Sequence, residues 1–118
     1  MTAWRGRPQW SGLAADERRA VAAYVIYEGE VVDPDLYDEY KAGAAASIAA
    51  AGGRYLVRGG ELDVLDGDLP SGRLVVLEFP TRQAALDWWH GEAYNRVRPI
   101  RERAARTYRL VLIDGWDG

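Results

Sequence analysis

The order of its periodic segments constrains the fold of this chain more than any other feature of the sequence. Four runs rich in β-branched and aromatic residues alternate with two stretches of helical spacing. The order strand, helix, strand, strand, helix, strand predicts an α+β sandwich of the ferredoxin-like kind, with a four-stranded antiparallel sheet and the helices on one of its faces. The predicted strands are 21–28, 54–66, 73–79 and 107–113, and we expect Gly59-Gly60 to mark a bend inside the second.

Start and stop residues bracket the two helical stretches. Asp33-Pro34 predicts the first start, because the carboxylate accepts from free N–H groups and Pro at the first position loses no hydrogen bond. Gly52-Gly53 predicts the end of that helix. Thr81 is the expected cap of the second stretch, which we expect Gly91 to break and Pro99 to kink or divide. The predicted apolar stripes are Leu36, Tyr40, Ala44, Ile48 and Ala51 in the first stretch, and Ala93, Val97, Ile100 and Ala104 after Gly91.

Composition indicates a single globular domain. The 118 residues fit one domain, which we place at 21–115 behind an extension, 1–20, that shows no helical or strand period. The absence of cysteine excludes disulfides, Cys-based metal sites and a Cys nucleophile. The net charge of −3 argues against a nucleic-acid partner. Apolar runs too short for a bilayer, and an N-terminus without the apolar core of a secretory signal, predict a cytoplasmic protein with no membrane partner.

Large apolar side chains occur on both faces of the first and third predicted strands, 21–28 and 73–79. Helices on one side cover one face of a sheet, so the other face needs a different cover. A second copy of the chain is the cover we expect. The sequence therefore predicts a homodimer.

Several segments together resemble a known family. Residues 52–60 read Gly-Gly-Arg-Tyr-Leu-Val-Arg-Gly-Gly, and residues 78–80 read Glu-Phe-Pro. With Tyr37 and Tyr40 behind Asp33-Pro34, these segments make residues 22–115 similar to the uncharacterised domain-of-unknown-function-1330 family. The resemblance implies a ferredoxin-like protomer of the dimeric α/β-barrel superfamily, in which two sheets close into one barrel. It implies no established reaction, because that superfamily includes cofactor-independent monooxygenases, isomerases, haem-degrading enzymes and proteins without known activity.

One segment departs from the family pattern. Where the family commonly carries Ser-Pro-Glu-Tyr or Ser-Pro-Ala-Tyr, this chain reads Gly-Glu-Ala-Tyr at 91–94. Any role of that serine therefore does not carry over. Tyr94 and Arg101 match the family, and the resemblance singles out Arg101 as a ligand-binding residue.

Glu78 and Arg58 form the first candidate pair. Glu78 points away from the helices if Phe79 points toward them, so it faces the space that a barrel would enclose. Arg58 is expected to reach the same space, where the two could hold a ligand carboxylate or hydroxyl and Glu78 could act as a base. The alternatives are a structural ion pair between neighbouring strands and a divalent cation shared with Glu61 and Asp63.

His90 and several aromatic residues supply the other candidates. His90, the single histidine, is the side chain best suited to proton exchange near neutral pH. The alternatives are an exposed residue at a helix C-terminus and an axial haem ligand. Tyr24, Trp89 and Tyr94, with Trp88, are predicted to line an aromatic pocket for a flat ligand, or else to belong to the core or an interface.

Six arginines between residues 96 and 109 form the strongest local charge feature, opposed nearby by Glu102. They either attract an anionic ligand or form a solvated face balanced by acids elsewhere. We assign a ligand-binding role to Arg101 alone among them.

Two functional hypotheses remain open. In the first, a homodimer binds a small aromatic or carboxylate-bearing molecule in a barrel or cleft pocket and carries out cofactor-independent chemistry. Glu78 or His90 would then move protons, and Tyr24, Arg58, Trp89, Tyr94 and Arg101 would bind the ligand; we predict no cofactor and no metal site. In the second, the barrel is filled by its own side chains and the chain is a non-catalytic self-association module.

Overall fold

The computed structural model describes residues 21–69 and 72–117 of the chain. Strands β1 (Ala23–Val31), β2 (Arg54–Arg58), β3 (Arg73–Phe79) and β4 (Ala105–Asp114) form one antiparallel sheet in the order β2-β3-β1-β4. Helix α1 (Pro34–Ala50) connects β1 to β2, and helices α2 (Arg82–His90) and α3 (Glu92–Ala104) connect β3 to β4. This arrangement confirms the predicted α+β, ferredoxin-like fold.

The helix boundaries follow the predicted signals. The Asp33 side chain accepts a hydrogen bond from the Leu36 N–H (3.1 Å), and the Thr81 side chain accepts one from the Ala84 N–H (3.0 Å). Gly91 separates α2 from α3 as predicted. Pro99 lies inside α3 and does not begin a new helix. Pro99 has no N–H to donate to the Asn95 carbonyl. Asn95 is exposed, so water can form that hydrogen bond instead.

The predicted strand 54–66 is wrong beyond Arg58. Gly59 has a φ of +70°, in the left-handed region, so the strand ends there instead of bending. The Gly59 N–H still donates to the Leu74 carbonyl (2.9 Å), and residues 60–69 then leave the sheet.

Strand β1 begins two residues later than predicted and ends three residues later, and β4 extends beyond its prediction at both ends, because the two strands pair along their whole length. Their register runs from Ala23 opposite Asp114 to Val31 opposite Ala105. A bulge between Glu28 and Gly29 interrupts it. Tertiary pairing thus extends both strands past the runs of strong strand-forming residues.

The core lies between the helices and one face of the sheet. It joins side chains of all three helices to β1 and β3, and its buried members are Val25, Tyr27, Ala44, Ile48, Val75, Leu77, Phe79, Ala85, Trp88 and Tyr94. The predicted stripe on α3 is wrong by one position at its start, because Ala93 is exposed and Tyr94 is fully buried. The stripe continues through Val97 to Arg101 and Ala104, so an arginine occupies a core position.

The predicted extension, residues 1–20, lies outside the described residues. Within residues 21–69 and 72–117, no helix is long and apolar enough to span a membrane.

Candidate ligand cavity between the helices and the sheet

A narrow cavity opens between α1, α3 and the helix-covered face of the sheet. The cavity itself measures about 30 Å³, and the empty space amounts to about 470 Å³ when the open solvent at its mouth is included. Five tyrosines and Trp88 supply aromatic walls, four cationic side chains line it, and the rest of the lining is aliphatic. The tyrosines are Tyr27, Tyr37, Tyr40, Tyr55 and Tyr94, and the cations are Lys41, Arg58, Arg73 and Arg101. None of the lining residues within 21–69 and 72–117 is acidic.

A hydrogen-bonded group of side chains forms the inner end of the cavity. The Arg101 Nε donates to the Tyr94 hydroxyl (3.1 Å), and the Tyr94 and Tyr40 hydroxyls share a hydrogen bond of 2.9 Å. The Arg101 Nη1 donates to Thr107 Oγ1, and the guanidinium carbon lies 5.9 Å from the centre of the Tyr27 ring. Tyr94 and Arg101 are 0% and 5% exposed, so the hydrogen bond between them is held away from bulk water, whereas Thr107 is exposed.

The Arg101 guanidinium lacks a carboxylate partner among the residues that the structure describes. Burial lowers the pKa of Arg101, but the neighbouring hydroxyls of Tyr94 and Tyr40 more than offset this and raise it overall. The group therefore stays charged. Uncharged oxygens and an aromatic ring solvate it, and a buried cation of this kind attracts an anionic ligand strongly.

Tyr27, Tyr37 and Tyr40 are neutral hydrogen-bonding groups at ordinary pH. Burial raises the pKa of Tyr40 strongly, and the nearby Tyr94 adds to the effect. Burial is also the main cause of the raised pKa of Tyr27 and of Tyr37. Each of these phenols keeps its proton and can donate it in a hydrogen bond.

A stack of aromatic rings holds Trp88 at the side of the cavity. Its ring centre lies 4.3 Å from that of Tyr94 and 5.4 Å from that of Phe79. Its indole Nε1 donates to the buried Ser47 Oγ (3.0 Å), which itself donates to the Ala44 carbonyl (2.8 Å). The indole therefore presents a fixed, flat wall to any ligand.

Three further cations lie on β2, β3 and α1 beside the cavity. The Arg58 guanidinium stacks on the Tyr55 ring at 4.2 Å, and that of Arg73 lies 5.5 Å from the centre of the Tyr37 ring. Lys41 pairs with Asp38 on the same helix (3.2 Å). Arg58 is exposed and Lys41 partly so, which places them where the cavity meets solvent.

Glu78 lies on the other face of the sheet from this cavity. It is fully buried, accepting from Arg54 Nε (2.8 Å) and from the Tyr24 hydroxyl (3.2 Å). Phe79 packs against Trp88 on the helix side, as the alternation of the strand predicts. The position of Glu78 thus agrees with a structural ion pair between neighbouring strands. Its role as a base stays a prediction.

The expected meeting of Arg58 with Glu78 is wrong. Arg54 lies opposite Glu78 and Arg58 lies opposite Val75, on the helix-covered face. The cause is a bulge between Tyr55 and Val57, because one extra residue reverses the alternation that follows it. Arg58 therefore joins Tyr94 and Arg101 at the cavity.

The remaining predicted residues lie elsewhere. Tyr24 is with Glu78 on the other face of the sheet. His90 is exposed in the last turn of α2, and with Trp89 it lines a separate groove between α2 and β4. Trp89 also packs against Tyr94 (5.6 Å) and beneath the Arg98 guanidinium (4.3 Å). Their roles in a reaction stay predictions.

Most of the arginines near the C-terminus form surface ion pairs. Arg96 pairs with Glu92, Arg98 with Glu102, Arg106 with Glu30 and Arg109 with Glu28. These ion pairs agree with the interpretation of the arginines as a solvated face balanced by acids. Arg101 is the buried exception. Among the described residues, Glu61, Asp63 and Glu78 form no metal-binding cluster, and neither does any other set of three acidic or histidine side chains.

Sequence reasoning placed Tyr94 in a pocket but missed Arg73 and the other four tyrosines of the cavity. Tyr27 and Arg73 occupy helix-facing strand positions, and Tyr37 and Tyr40 lie on the inner side of α1. The burial of Arg101, by contrast, had a signal in the sequence. In α3 the spacing Tyr94, Val97, Arg101, Ala104 is as regular as that of the predicted stripe, and it places an arginine among apolar positions.

Comparison with solved structures shows the same fold in proteins of low sequence identity. A protein of unknown function from Rhodopseudomonas palustris, RPA0582, is 17% identical, with a TM-score of 0.64 over 88% of this chain and 92% of that one. SnoaB, a cofactor-independent oxygenase from Streptomyces nogalater, is 12% identical, with a TM-score of 0.56 over 84% of this chain and 97% of that one. A conserved protein from Methanosarcina mazei is 11% identical, with a TM-score of 0.50 over 83% and 94%.

No curated protein matches the sequence. A family model does match, over residues 22–116, nearly the whole of the domain that carries the cavity. The chain therefore belongs to the family described as Domain of unknown function (DUF1330).

Proposed function

We propose that this protein is a homodimer that binds a small aromatic or carboxylate-bearing molecule in the cavity between its helices and its sheet. The observation that carries the proposal is the buried Arg101 guanidinium, bonded to Tyr94 beside the flat wall of Trp88. This combination offers a charge for an acidic oxygen and a surface for a planar ring. Arg58 lies at the solvent side of the same cavity.

Cofactor-independent chemistry on the bound molecule is the second part of the proposal. The Tyr40 and Tyr94 hydroxyls form a chain that can pass a proton toward the cavity, and Arg101 can stabilise negative charge on a reacting oxygen. SnoaB, which shares the fold, is a cofactor-independent oxygenase. That likeness is one of fold, so it supports such chemistry and does not specify the reaction.

The proposed dimer uses the sheet face that carries Glu78. Large apolar side chains stand on this face, with Val57, Val111 and Ile113 being 39%, 40% and 54% exposed. Exposed apolar side chains grouped on one surface favour association. A second copy packed there would bury them.

Native mass spectrometry of freshly purified protein tests ligand binding and dimer formation. A dimer carrying extra mass supports the binding proposal and gives the mass of the ligand. A bare dimer favours the self-association module instead, and a monomer contradicts the dimer. Val111→Lys is expected to yield monomers, whereas Val32→Lys, a change at an exposed valine before α1, leaves the dimer intact.

A further inference from the structure

The charged side chains that line the cavity in the described part of the chain are all positive, and three of them lack an acidic partner there. Arg58, Arg73 and Arg101 form no ion pair with any described residue, whereas Lys41 pairs with Asp38. Most other arginines of the described chain do find a carboxylate. Most of the described arginines that lack a counter-charge therefore lie at the cavity.

Two of these groups also have a nitrogen that lacks a hydrogen-bond partner among the described residues. Arg101 is 5% exposed, and its Nη2 makes no hydrogen bond with a described residue. The Arg73 Nε is buried, and no described residue forms a hydrogen bond with it. Gly59 contributes to this placement, because a Cβ there would lie 2.3 Å from the Arg73 Nη1. Buried cations without a counter-charge are costly to the fold, and a bound anion reduces that cost.

We propose that the cavity, widened by its ligand, selects a planar organic anion, whose acidic oxygen binds the Arg101 guanidinium and whose ring lies against Trp88. This inference rests on the proposed function and narrows its ligand to the anionic class. Arg58 and Arg73 attract the anion to the cavity, since like charges around one cleft raise the local concentration of the opposite charge. A neutral molecule of the same shape gains the aromatic contacts and not the charge-assisted hydrogen bonds.

A matched pair of probes tests the charge requirement. 2-Naphthoate and 2-naphthamide have nearly the same shape and differ in charge. Binding of each is followed by nuclear magnetic resonance titration of the Trp88 indole N–H, assigned with Trp88→Phe. We expect 2-naphthoate to bind at least about tenfold more tightly, the least that a charge-assisted hydrogen bond contributes. Added salt should weaken the binding of 2-naphthoate and leave that of 2-naphthamide nearly unchanged.

Variants locate the charge. Arg101→Gln should remove the preference for 2-naphthoate, while Arg103→Gln, an exposed cation on the same helix, should retain it. Arg58→Gln is a second variant in case Arg101→Gln does not fold. Because Arg58 is exposed, its loss should leave the fold intact and weaken 2-naphthoate binding about threefold or more while reducing the effect of salt.

The outcomes separate this inference from the proposed function. Equal affinity for the two probes overturns the anion selectivity and leaves the binding proposal standing. Selectivity that survives both Arg101→Gln and Arg58→Gln also overturns it. If neither probe binds, the inference fails, and the mass of any co-purified molecule decides the proposed function independently.

Discussion

Replacing Glu78 with Gln should destabilise the protein without affecting ligand binding. The change keeps the size of the side chain and an acceptor for Arg54, but it removes the negative charge. The pair is close, with 2.8 Å between Arg54 Nε and Glu78 Oε1, and the carboxylate is fully buried. The Arg54 side chain is 34% exposed, however, so water screens part of the attraction.

The expected loss follows from these values. Two unit charges about 4 Å apart attract by about 4 kcal/mol at an effective dielectric constant near 20. Screening at Arg54 and the acceptor retained by Gln reduce this, so we expect the free energy of unfolding to fall by about 2 kcal/mol, within the range for a hydrogen bond to a charged group. Tyr24 can reverse its role and accept from the new amide, which adds little to the loss.

Urea denaturation at a fixed protomer concentration measures the loss, since the stability of a dimer depends on concentration. A double-mutant cycle with Arg54→Gln should give a coupling energy of about 1–2 kcal/mol. Glu92→Gln is the control. Its pair with Arg96 is highly exposed, so its effect should stay within about 0.5 kcal/mol.

Two results would refute this reasoning. A change in unfolding free energy below about 0.5 kcal/mol would show that the Arg54 pair contributes nothing to the fold. Loss of 2-naphthoate binding in a folded Glu78→Gln variant would show that Glu78 acts on the ligand despite lying on the opposite face of the sheet.

Three further predictions concern the packing around the cavity. Ser47→Ala removes the acceptor of the buried Trp88 indole N–H and should cost about 1–3 kcal/mol in thermal or urea unfolding; an unchanged midpoint would contradict that role. Gly43→Ala should cost about 1–3 kcal/mol, since its Cβ would lie 2.4 Å from Val97 Cγ1, and adding Val97→Ala should restore part of the loss. Because burial raises the pKa of Tyr40 above its usual 10.0, the folded state favours the protonated phenol, so the stability it contributes is present below pH 10 and lost as pH rises above it. Above pH 10 Tyr40→Phe should reduce the alkaline slope by up to about 1.4 kcal/mol per pH unit, and an identical slope would show that Tyr40 is not the group.

Local signals in the sequence determined the fold class and most element boundaries. Asp33, Thr81 and Gly91 act within one turn of the chain, where a capping side chain or a helix break depends on few neighbours. The alternation of β3 likewise places Phe79 toward the helices and Glu78 away from them, because a regular strand reverses its side chains at every residue. Such features can be recognised without knowledge of what packs against them.

The tertiary structure determined which residues line the cavity. The bulge after Tyr55 places Arg58 at the cavity instead of on the Glu78 face. That bulge is visible only in the pairing of β2 with β3. Arg101 was singled out by resemblance, but its burial beside Tyr94 and Tyr40 depends on how α3 packs against α1. Sequence periodicity identifies apolar stripes. A buried cation, in contrast, is stable because hydroxyl groups from distant segments form hydrogen bonds around it, and these segments meet only when the chain has folded.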